Sequence, residues 1–244
     1  MCLDINFTSS APYIIIINHT KNESYINIKD GCPNSFLDDD EDEQPAHEVT
    51  LSKPYYMSKY PVTQEQYQEM MGTNPSVFKG SKNPVEWVLW DDAQEFCNKL
   101  STQTKQTVGL PTEAQWEYAC RAGTQTNFYS GDTEDDLKRV ALYEANSSGT
   151  THPVGQKEAN AFGLYDLHGN VLQWCQDWKG DYSVNAAVDP QGPARGVCRV
   201  VRGGTWGHGP KRCRAAARYS GFPAPPIAIN GFRVCVAPTT SGHL

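Results

Sequence analysis

The stretch at residues 110–123 reads LPTEAQWEYACRAG, and it marks both ends of a short, buried helix. Thr112 lies three residues before Gln115, which is the spacing of a capping box, in which each side chain bonds the backbone N–H of the other residue. Gly123 follows at a position where helices commonly end. Apolar side chains recur on one face at helical spacing, namely Trp116, Ala119 and Cys120. The stretch therefore predicts a helix that begins after Thr112, ends at Gly123 and packs on the core.

Two further helices are predicted upstream of this stretch. Thr63 and Gln66 form a second capping box. Asp91 begins the other helix, whose apolar residues recur at i, i+3, i+4 and i+7. The inward-facing residues are Tyr67, Met70 and Met71 in the first helix and Ala93, Phe96, Cys97 and Leu100 in the second. Beyond Gly123, glycine, proline and asparagine divide the chain into pieces too short for helices.

Strand signals lie nearer the N-terminus. Residues 13–28 combine an isoleucine run, a polar turn and a second β-branched run, which predicts a hairpin. Residues 47–51 alternate as a half-buried strand does. The acidic run at 38–43 fits either a calcium-binding loop or a solvated surface loop, and the second is favoured because the run lacks alternating ligand spacing and a central glycine. With no repeat and no linker, the chain is expected to form one irregular α+β domain.

The composition excludes a disordered chain and argues against a nucleic-acid partner. Hydrophobic residues make up 39% of the 244 residues and include six Trp and twelve Tyr, which is ample for a core. The net charge is −7, so the overall charge does not attract a polyanion. No apolar run is long enough to span a bilayer.

The eight cysteines do not form a metal-binding pattern. None is part of a C-x-x-C, and no histidine cluster accompanies them, so a structural zinc site is not indicated. Seven remain after Cys2, an odd number, so buried free thiols are expected, with one or two disulfides as the alternative. Cys2 itself, directly after Met1, has two interpretations: the acylated cysteine of a bacterial lipoprotein, or a native second residue that happens to be cysteine.

A set of short motifs runs in a fixed order along the chain from about residue 45. The motifs lie at residues 44–49, 60–67, 83–93, 110–123, 153–155, 160–171, 202–206 and 231–233. Each alone is weak, but the ordered set resembles the formylglycine-generating enzyme, or sulfatase-modifying factor, family. The resemblance implies a C-type-lectin-like α+β domain with much irregular structure, whose termini approach each other. We expect this domain at residues 13–240, after an N-terminal segment of residues 1–12 that would be the tether of a lipoprotein.

The same resemblance implies that catalytic thiols are lost. Formylglycine-generating enzymes oxidise a substrate cysteine with two active-site cysteines that bind copper, placed just after an RGGSF-like strand. Alignment on residues 214–218 puts Pro210 where the second thiol belongs and Cys213 where the family has Tyr. A cuprous site needs soft thiolates in pairs. No catalytic residue is therefore assigned, and the protein is not expected to be an enzyme.

The calcium sites of the family are also altered in this sequence. One uses the Glu of a GNVxEW motif, where this chain has Gln173. The other needs an Asn and a downstream Asp; Asn146 is present, but residues 147–151 contain no Asp. Hard cations prefer charged oxygen ligands, so no calcium, no other metal and no cofactor is expected.

Residues 205–230 resemble the variable segment of one branch of this family, which diversity-generating retroelements rewrite. Such templates carry Asn codons, whose mutated adenines encode any residue except Lys, Gln, Glu, Met and Trp. The template fits without a gap between two arginines, Arg202 and Arg233, and each residue at a template Asn position belongs to the allowed set. The fourteen candidate ligand-binding positions are Gly207, His208, Gly209, Arg212, Ala215, Ala217, Tyr219, Ser220, Gly221, Phe222, Pro225, Ile227, Ala228 and Ile229. The frame residues between and around them are Trp206, Cys213, Arg214, Arg218, Pro223, Gly231, Phe232 and Arg233.

The resemblance to this variable-protein branch implies a non-catalytic ligand-binding protein, similar to the variable lipoproteins of spirochaetes such as Treponema. It favours lipid attachment at Cys2, a location at the cell surface or outer membrane, and a monomer that binds an unknown protein or surface ligand. Tyr219 and Phe222 are the expected aromatic anchors. Two alternatives remain open: a residual redox or formylglycine-generating-type enzyme, and a non-diversified structural or carbohydrate-binding subunit.

Overall fold

The computed structural model describes residues 14–17, 41–222 and 224–237. Its helices are α1 (Gln64–Met71), α2 (Trp90–Thr104), α3 (Glu113–Arg121) and α4 (Glu134–Val140), with 3-10 turns at Glu41–Glu43 and Pro210–Cys213. Its strands are β1 (Ile14–Ile17), β2 (Val49–Thr50), β3 (Tyr55–Ser58), β4 (Val108–Gly109), β5 (Leu172–Trp178), β6 (Ala187–Val188), β7 (Arg199–Arg202), β8 (Arg218–Gly221), β9 (Asn230–Gly231) and β10 (Cys235–Val236). Much of the chain between these short elements is irregular, as expected.

The three predicted helices are confirmed. Thr63 caps α1 and Thr112 caps α3, each in a complete capping box with the glutamine three residues on. α2 begins at Trp90, one residue before the predicted start. α3 ends at Arg121, and Ala122 takes the left-handed conformation that terminates it. The predicted inward-facing residues are buried or packed against the core: Tyr67, Met70, Met71, Ala93, Phe96, Cys97, Leu100, Trp116, Ala119 and Cys120.

Helix α4 contradicts the expectation that no helix follows Gly123. Thr133 accepts the backbone N–H of Asp136 and the Asp136 side chain accepts that of Thr133, so the seven-residue helix has its own capping box. Leu137 and Val140 lie inward on the same face and are fully buried. Together the cap and the two apolar residues stabilise a helix of only two turns.

One sheet brings the two ends of the chain together. Its strand order is β1-β3-β10-β4. The N-terminal strand Ile14–Ile17 and the C-terminal strand Cys235–Val236 both pair antiparallel with Tyr55–Ser58. The predicted approach of the termini is thus confirmed for these strands, whereas the second arm of the predicted hairpin lies outside the described residues.

A second sheet, with strand order β8-β7-β5-β9, carries the candidate variable segment. Its central strand β5 is buried on both faces, which hides the alternation that would have predicted it. Trp174 of β5 donates its indole N–H to the Val88 carbonyl at 3.0 Å. Strands β2 and β6 form a two-stranded parallel ribbon that does not pair with a strand of either sheet.

The cysteines of the described part of the chain are free thiols. Five of the six are buried, as expected: Cys97, Cys120, Cys175, Cys213 and Cys235, with Cys198 half-buried. Cys2 and Cys32 lie outside the described residues. Within the described ranges, every helix is too short or too polar to cross a bilayer, and His, Cys, Asp and Glu side chains form no group of three or more suited to a metal ion.

Candidate ligand-binding surface

Both ends of the variable segment, residues 205–230, are held in the same sheet. The segment leaves β7, passes through the 3-10 turn Pro210–Cys213 and returns as edge strand β8, which pairs antiparallel with β7. It ends at β9, which pairs in parallel with β5. The sheet therefore fixes the backbone at three places along the segment.

Two buried ion pairs fix the middle of the segment. Arg214 makes a bidentate pair with Glu43, Nη1 to Oε2 at 2.7 Å and Nη2 to Oε1 at 2.6 Å. Arg218 makes another with Glu113, Nε to Oε1 at 2.7 Å and Nη2 to Oε2 at 2.8 Å. All four side chains are almost completely buried. Pairs of this geometry combine charge with directional hydrogen bonds and so define both position and orientation.

The sequence predicts a solvated surface loop for the acidic run at residues 38–43. This prediction is wrong for the last two residues, Asp42 and Glu43. Glu43 is only 2% exposed because it pairs with Arg214. Asp42 forms an ion pair with Lys179, and its backbone carbonyl accepts a hydrogen bond from Arg218 at 2.6 Å. A charge pattern cannot reveal this role, since the partner arginines follow more than 170 residues later.

Two more buried arginines flank the segment, and one of them, Arg202, contacts it. Arg202 forms an ion pair with Glu117 and donates to the carbonyls of Ala215 and Ala216, each at 2.8 Å. Arg233 donates to Gln173 Oε1 at 2.6 Å and to the carbonyls of Ser58 and Tyr165 at 3.0 and 2.7 Å.

The charges of these arginines are compensated by buried acids. Burial alone would raise the pKa of Glu113, but the hydrogen bond from Arg218 and the charges of Arg202 and Arg218 hold that pKa below its ordinary value. Glu113 is therefore ionised at neutral pH, and the Arg218–Glu113 anchor acts as a charged pair.

Eleven of the fourteen predicted positions reach the surface. We call them the surface set: Gly207, His208, Gly209, Arg212, Tyr219, Ser220, Phe222, Pro225, Ile227, Ala228 and Ile229. Phe222 is 61% exposed and Ile227 is 44% exposed, which is unusual for large apolar side chains in this molecule. Such exposure identifies side chains that are available to a partner.

Three predicted positions are buried, and for them the expectation of an exposed face is wrong. Ala215 and Ala217 lie between the anchors Arg214 and Arg218 and have almost no exposed surface. Gly221 is buried, and a Cβ atom there would overlap the ring of Trp174. These three positions belong to the packing of the domain.

Tyr219 is only half-exposed. Its hydroxyl donates to the Arg212 carbonyl at 2.9 Å, and its ring lies 5.5 Å from that of His208. Burial, together with the nearby charge of Arg212, lowers the pKa of His208 to about 4, so its ring is neutral at pH 7. Tyr219 thus supports its neighbours, and Phe222 is the freer of the two aromatic side chains.

Trp206 connects the two ends of the segment. Its ring meets the edge of Phe78 at 5.2 Å, and its indole N–H points to the Ala228 carbonyl at 3.4 Å. Its own carbonyl accepts a hydrogen bond from Ser147 at 2.7 Å. Trp206 is half-buried, unlike the fully buried Phe232, so the two aromatic frame residues differ in their packing. The frame residue Pro223 lies outside the described residues.

The residues at and near the family's copper-binding thiols, Pro210 and Cys213, do not form a copper site. Pro210 opens the 3-10 turn and offers no side-chain ligand. Cys213 is fully buried, and burial raises the pKa of its thiol to about 12, so it stays protonated at neutral pH. A protonated, single sulfur cannot supply the thiolate pair that cuprous ion requires.

The side chains at the family's calcium sites, Gln173 and Asn146, contact other residues of the protein. Gln173 Oε1 accepts from Trp116 at 2.7 Å, and its amide nitrogen donates to the Asp166 carbonyl at 2.6 Å. Asn146 accepts the Tyr143 backbone N–H and donates to the Ala141 carbonyl, both at 2.9 Å. Both amides are thus engaged in local hydrogen bonds.

Comparison with known proteins places this geometry in a family. A family model described as the sulfatase-modifying factor enzyme 1-like domain matches residues 17–238. The chain belongs to this family. It is 35% identical to the chaperone protein LppX of Paenibacillus barcinonensis over 65% of this chain and 71% of that protein. It is 30% identical to the mouse formylglycine-generating enzyme over 78% of this chain, but it spans only 53% of that enzyme.

A solved structure agrees with the variable-protein resemblance. Treponema denticola variable protein 1 is 31% identical, with a TM-score of 0.81 over 92% of this chain and 95% of that one. This similarity confirms the C-type-lectin-like fold and the resemblance to variable proteins of the family. Formylglycine-generating enzymes are also relatives, but the likeness to the variable protein fits a non-catalytic binding scaffold.

Proposed function

We propose that this protein is a non-catalytic binding protein that presents a retroelement-diversified surface to its ligand. The observation that supports this most strongly is the division within the variable segment. Buried arginine pairs hold its backbone at Arg214 and Arg218, while the surface set is exposed or half-exposed, with Tyr219 and Ile229 packed partly against the core. A scaffold of this kind can exchange surface residues because its stability resides in other residues.

The energetic argument is that substitutions away from packing features usually change stability by no more than about 0.5 kcal/mol. The surface set can therefore vary without unfolding the domain. Binding energy in such surfaces concentrates in a few apolar anchors. Phe222 and Ile227, the most exposed apolar residues of the set, are the anchors in this protein.

The ligand is an unknown protein or surface ligand, and the protein acts as a monomer displayed at the cell surface or outer membrane. Attachment through an acylated Cys2 would account for display. Lipid analysis of the protein expressed in a Gram-negative host tests this part: a fatty acid must be found on Cys2, and a protein without one contradicts it.

Sequencing of the gene locus tests diversification. We expect a reverse transcriptase gene and a template repeat next to this gene, with template adenines in the codons of the surface set. A locus without either one would favour the non-diversified binding subunit.

Selection tests binding. A displayed library that varies only the surface set is selected against two unrelated purified proteins. We expect clones specific to each target, with a library varied at exposed residues of α2 as the matched control. If the two libraries produce binders equally rarely, the segment is not a specialised binding surface.

A peptide assay tests the enzymatic alternative. The purified protein, with or without copper, is incubated with a C-x-P-x-R peptide. No formylglycine should form beyond a metal-only blank, because neither Pro210 nor the buried Cys213 can supply the thiolates. Turnover above the blank would show that the protein is an enzyme.

A further inference from the structure

A cavity of about 420 Å³ lies apart from the surface set, beneath the loop that follows β5. The first turn of α3, the β2–β6 ribbon and residues 177–193 enclose it. Of the variable segment it touches only Arg218, which is a frame residue. Its volume is within the range of pockets that bind small organic molecules.

The walls of this cavity are mainly apolar or aromatic. Val49, Ala114 and Ala187 line it together with Trp178 and Tyr182. The Tyr182 ring lies over the Arg218 guanidinium at 3.7 Å and 4.7 Å from the His47 ring, so its position is well defined. A ligand in this cavity therefore needs an apolar body.

Most charged groups at the cavity are already paired. Glu113 receives two hydrogen bonds from Arg218. Glu117 binds Arg121 and Arg202. Arg218 also donates to the carbonyls of Asp42 and Gly180, so four of its five N–H groups are engaged. An anionic ligand would thus meet two carboxylates and a guanidinium with a single remaining donor.

Asp177 is different. Its Oδ2 accepts the backbone N–H of Glu113 at 2.8 Å, and in the described part of the chain no Lys or Arg side chain forms an ion pair with the carboxylate. The side chain is only 4% exposed and lines the cavity. Gly192, at φ +68°, packs so closely on Asp177 that a Cβ there would lie 2.9 Å from the Asp177 Cβ, so the loop holds the carboxyl in place.

We propose that this cavity binds a small organic cation, in which a primary ammonium group contacts Asp177 and an apolar body fills the space beside Tyr182 and Trp178. A buried carboxylate is stable only with a positive partner or hydrogen-bond donors. An ammonium ion supplies both. Burial raises the pKa of Asp177 to about 7, and the nearby charge of Arg218 offsets this rise only in part. The site is separate from the proposed variable surface and does not depend on it.

Calorimetric titration with 2-phenylethylamine tests the proposal, with 2-phenylethanol as a neutral probe of the same shape. We expect saturable binding of the amine and at least about tenfold weaker binding of the alcohol, since a charged hydrogen bond is lost. Binding of the alcohol with equal affinity, or no saturable binding of the amine, would overturn the proposal.

Two variants locate the binding. Asp177→Asn retains an acceptor for the Glu113 N–H, so α3 keeps its contact, but it should weaken amine binding about tenfold. Ala187→Phe should abolish binding by filling the cavity. As a control, Ser220→Ala combined with Phe222→Ala should bind the amine as the parent protein does. If Asp177→Asn binds the amine unchanged, or if the control variant loses it, the amine does not occupy this site.

Discussion

The variable segment contains two regions that differ in their physical environment. Residues 213–218 are held by Arg214 and Arg218 in buried ion pairs, and Ala215 and Ala217 between them are buried. Residues 219–229 include Phe222 at 61% exposure. A larger side chain at Ala215 or Ala217 must enter the core, whereas one at Ser220 or Phe222 enters water. One set of candidate positions thus divides into packing residues and presented residues.

Strand β8 shows the same division between two adjacent residues. Gly221 faces the ring of Trp174, while the neighbouring Ser220 is exposed. Successive side chains of a strand point to opposite faces, so adjacent positions can have opposite tolerance. At Ser220 a larger side chain enters water, whereas at Gly221 it meets the ring of Trp174.

The largest effect should come from breaking an anchor. Glu43→Gln leaves Arg214 buried without its charged partner and should destabilise the protein by about 3–5 kcal/mol. The matched control is Lys99→Met, which removes the exposed pair with Glu95 and should cost at most about 1 kcal/mol. Denaturant unfolding measures both. Equal, small losses would mean that the ion pair does not hold the segment.

The two aromatic frame residues should differ. Phe232→Ala should cost about 3–5 kcal/mol, since the ring is fully buried against Phe96 and Tyr67. Trp206→Ala should cost less, about 1–3 kcal/mol, because its ring is half-buried. Thermal melts of the two variants decide the order, and a Trp206 variant as unstable as the Phe232 variant would make Trp206 a core residue.

Leucine substitutions at two adjacent positions of β8 compare a buried residue with an exposed one. Gly221→Leu should destabilise by about 1–3 kcal/mol, because the side chain must displace Trp174. Ser220→Leu should change stability by no more than about 0.5 kcal/mol. Equal losses of stability for the two variants would show that contact with Trp174 does not limit which residues β8 tolerates.

The last prediction concerns pH, and its effect is confined to acidic solution. Folding lowers the pKa of His208 from its ordinary 6.5 to about 4. Between these two pH values the unfolded chain therefore binds a proton at His208 that the folded chain does not bind. Stability should therefore fall as the pH drops from 6.5 towards 4, and His208→Asn should reduce this slope. A proton NMR titration checks it directly: His208 must titrate near 4, and a midpoint near 6.5 would contradict its burial.

Local signals in the sequence predicted the capped helices well. The capping boxes at Thr63 and Thr112 act within four residues, so sequence spacing is sufficient to identify them. The cap of α4 at Thr133 carried the same kind of signal, with Asp in place of Gln, and could have been found. The ordered motifs predicted the family and its fold.

Long-range partners could not be predicted. The burial of Glu43 depends on Arg214, 171 residues away, and the burial of Gly221 depends on the ring of Trp174. Strand β5 is buried on both faces, with polar residues such as Gln173 and Asp177 among the buried ones, so its sequence shows no clear alternation. No sequence motif marked Asp177, because the residues that surround it, in α3 and in the loop at residues 178–193, are brought together only by the fold.

Position-by-position tolerance tests the central claim most directly. In a displayed library, each of the fourteen predicted positions is replaced singly by all residues that an N-N-pyrimidine codon encodes, heated, and sorted for the folded fraction. We predict that the surface set retains folding with most replacements, whereas Ala215, Ala217 and Gly221 lose it with all large ones. Equal tolerance, or equal intolerance, at the two groups would contradict the division between packing and presented residues.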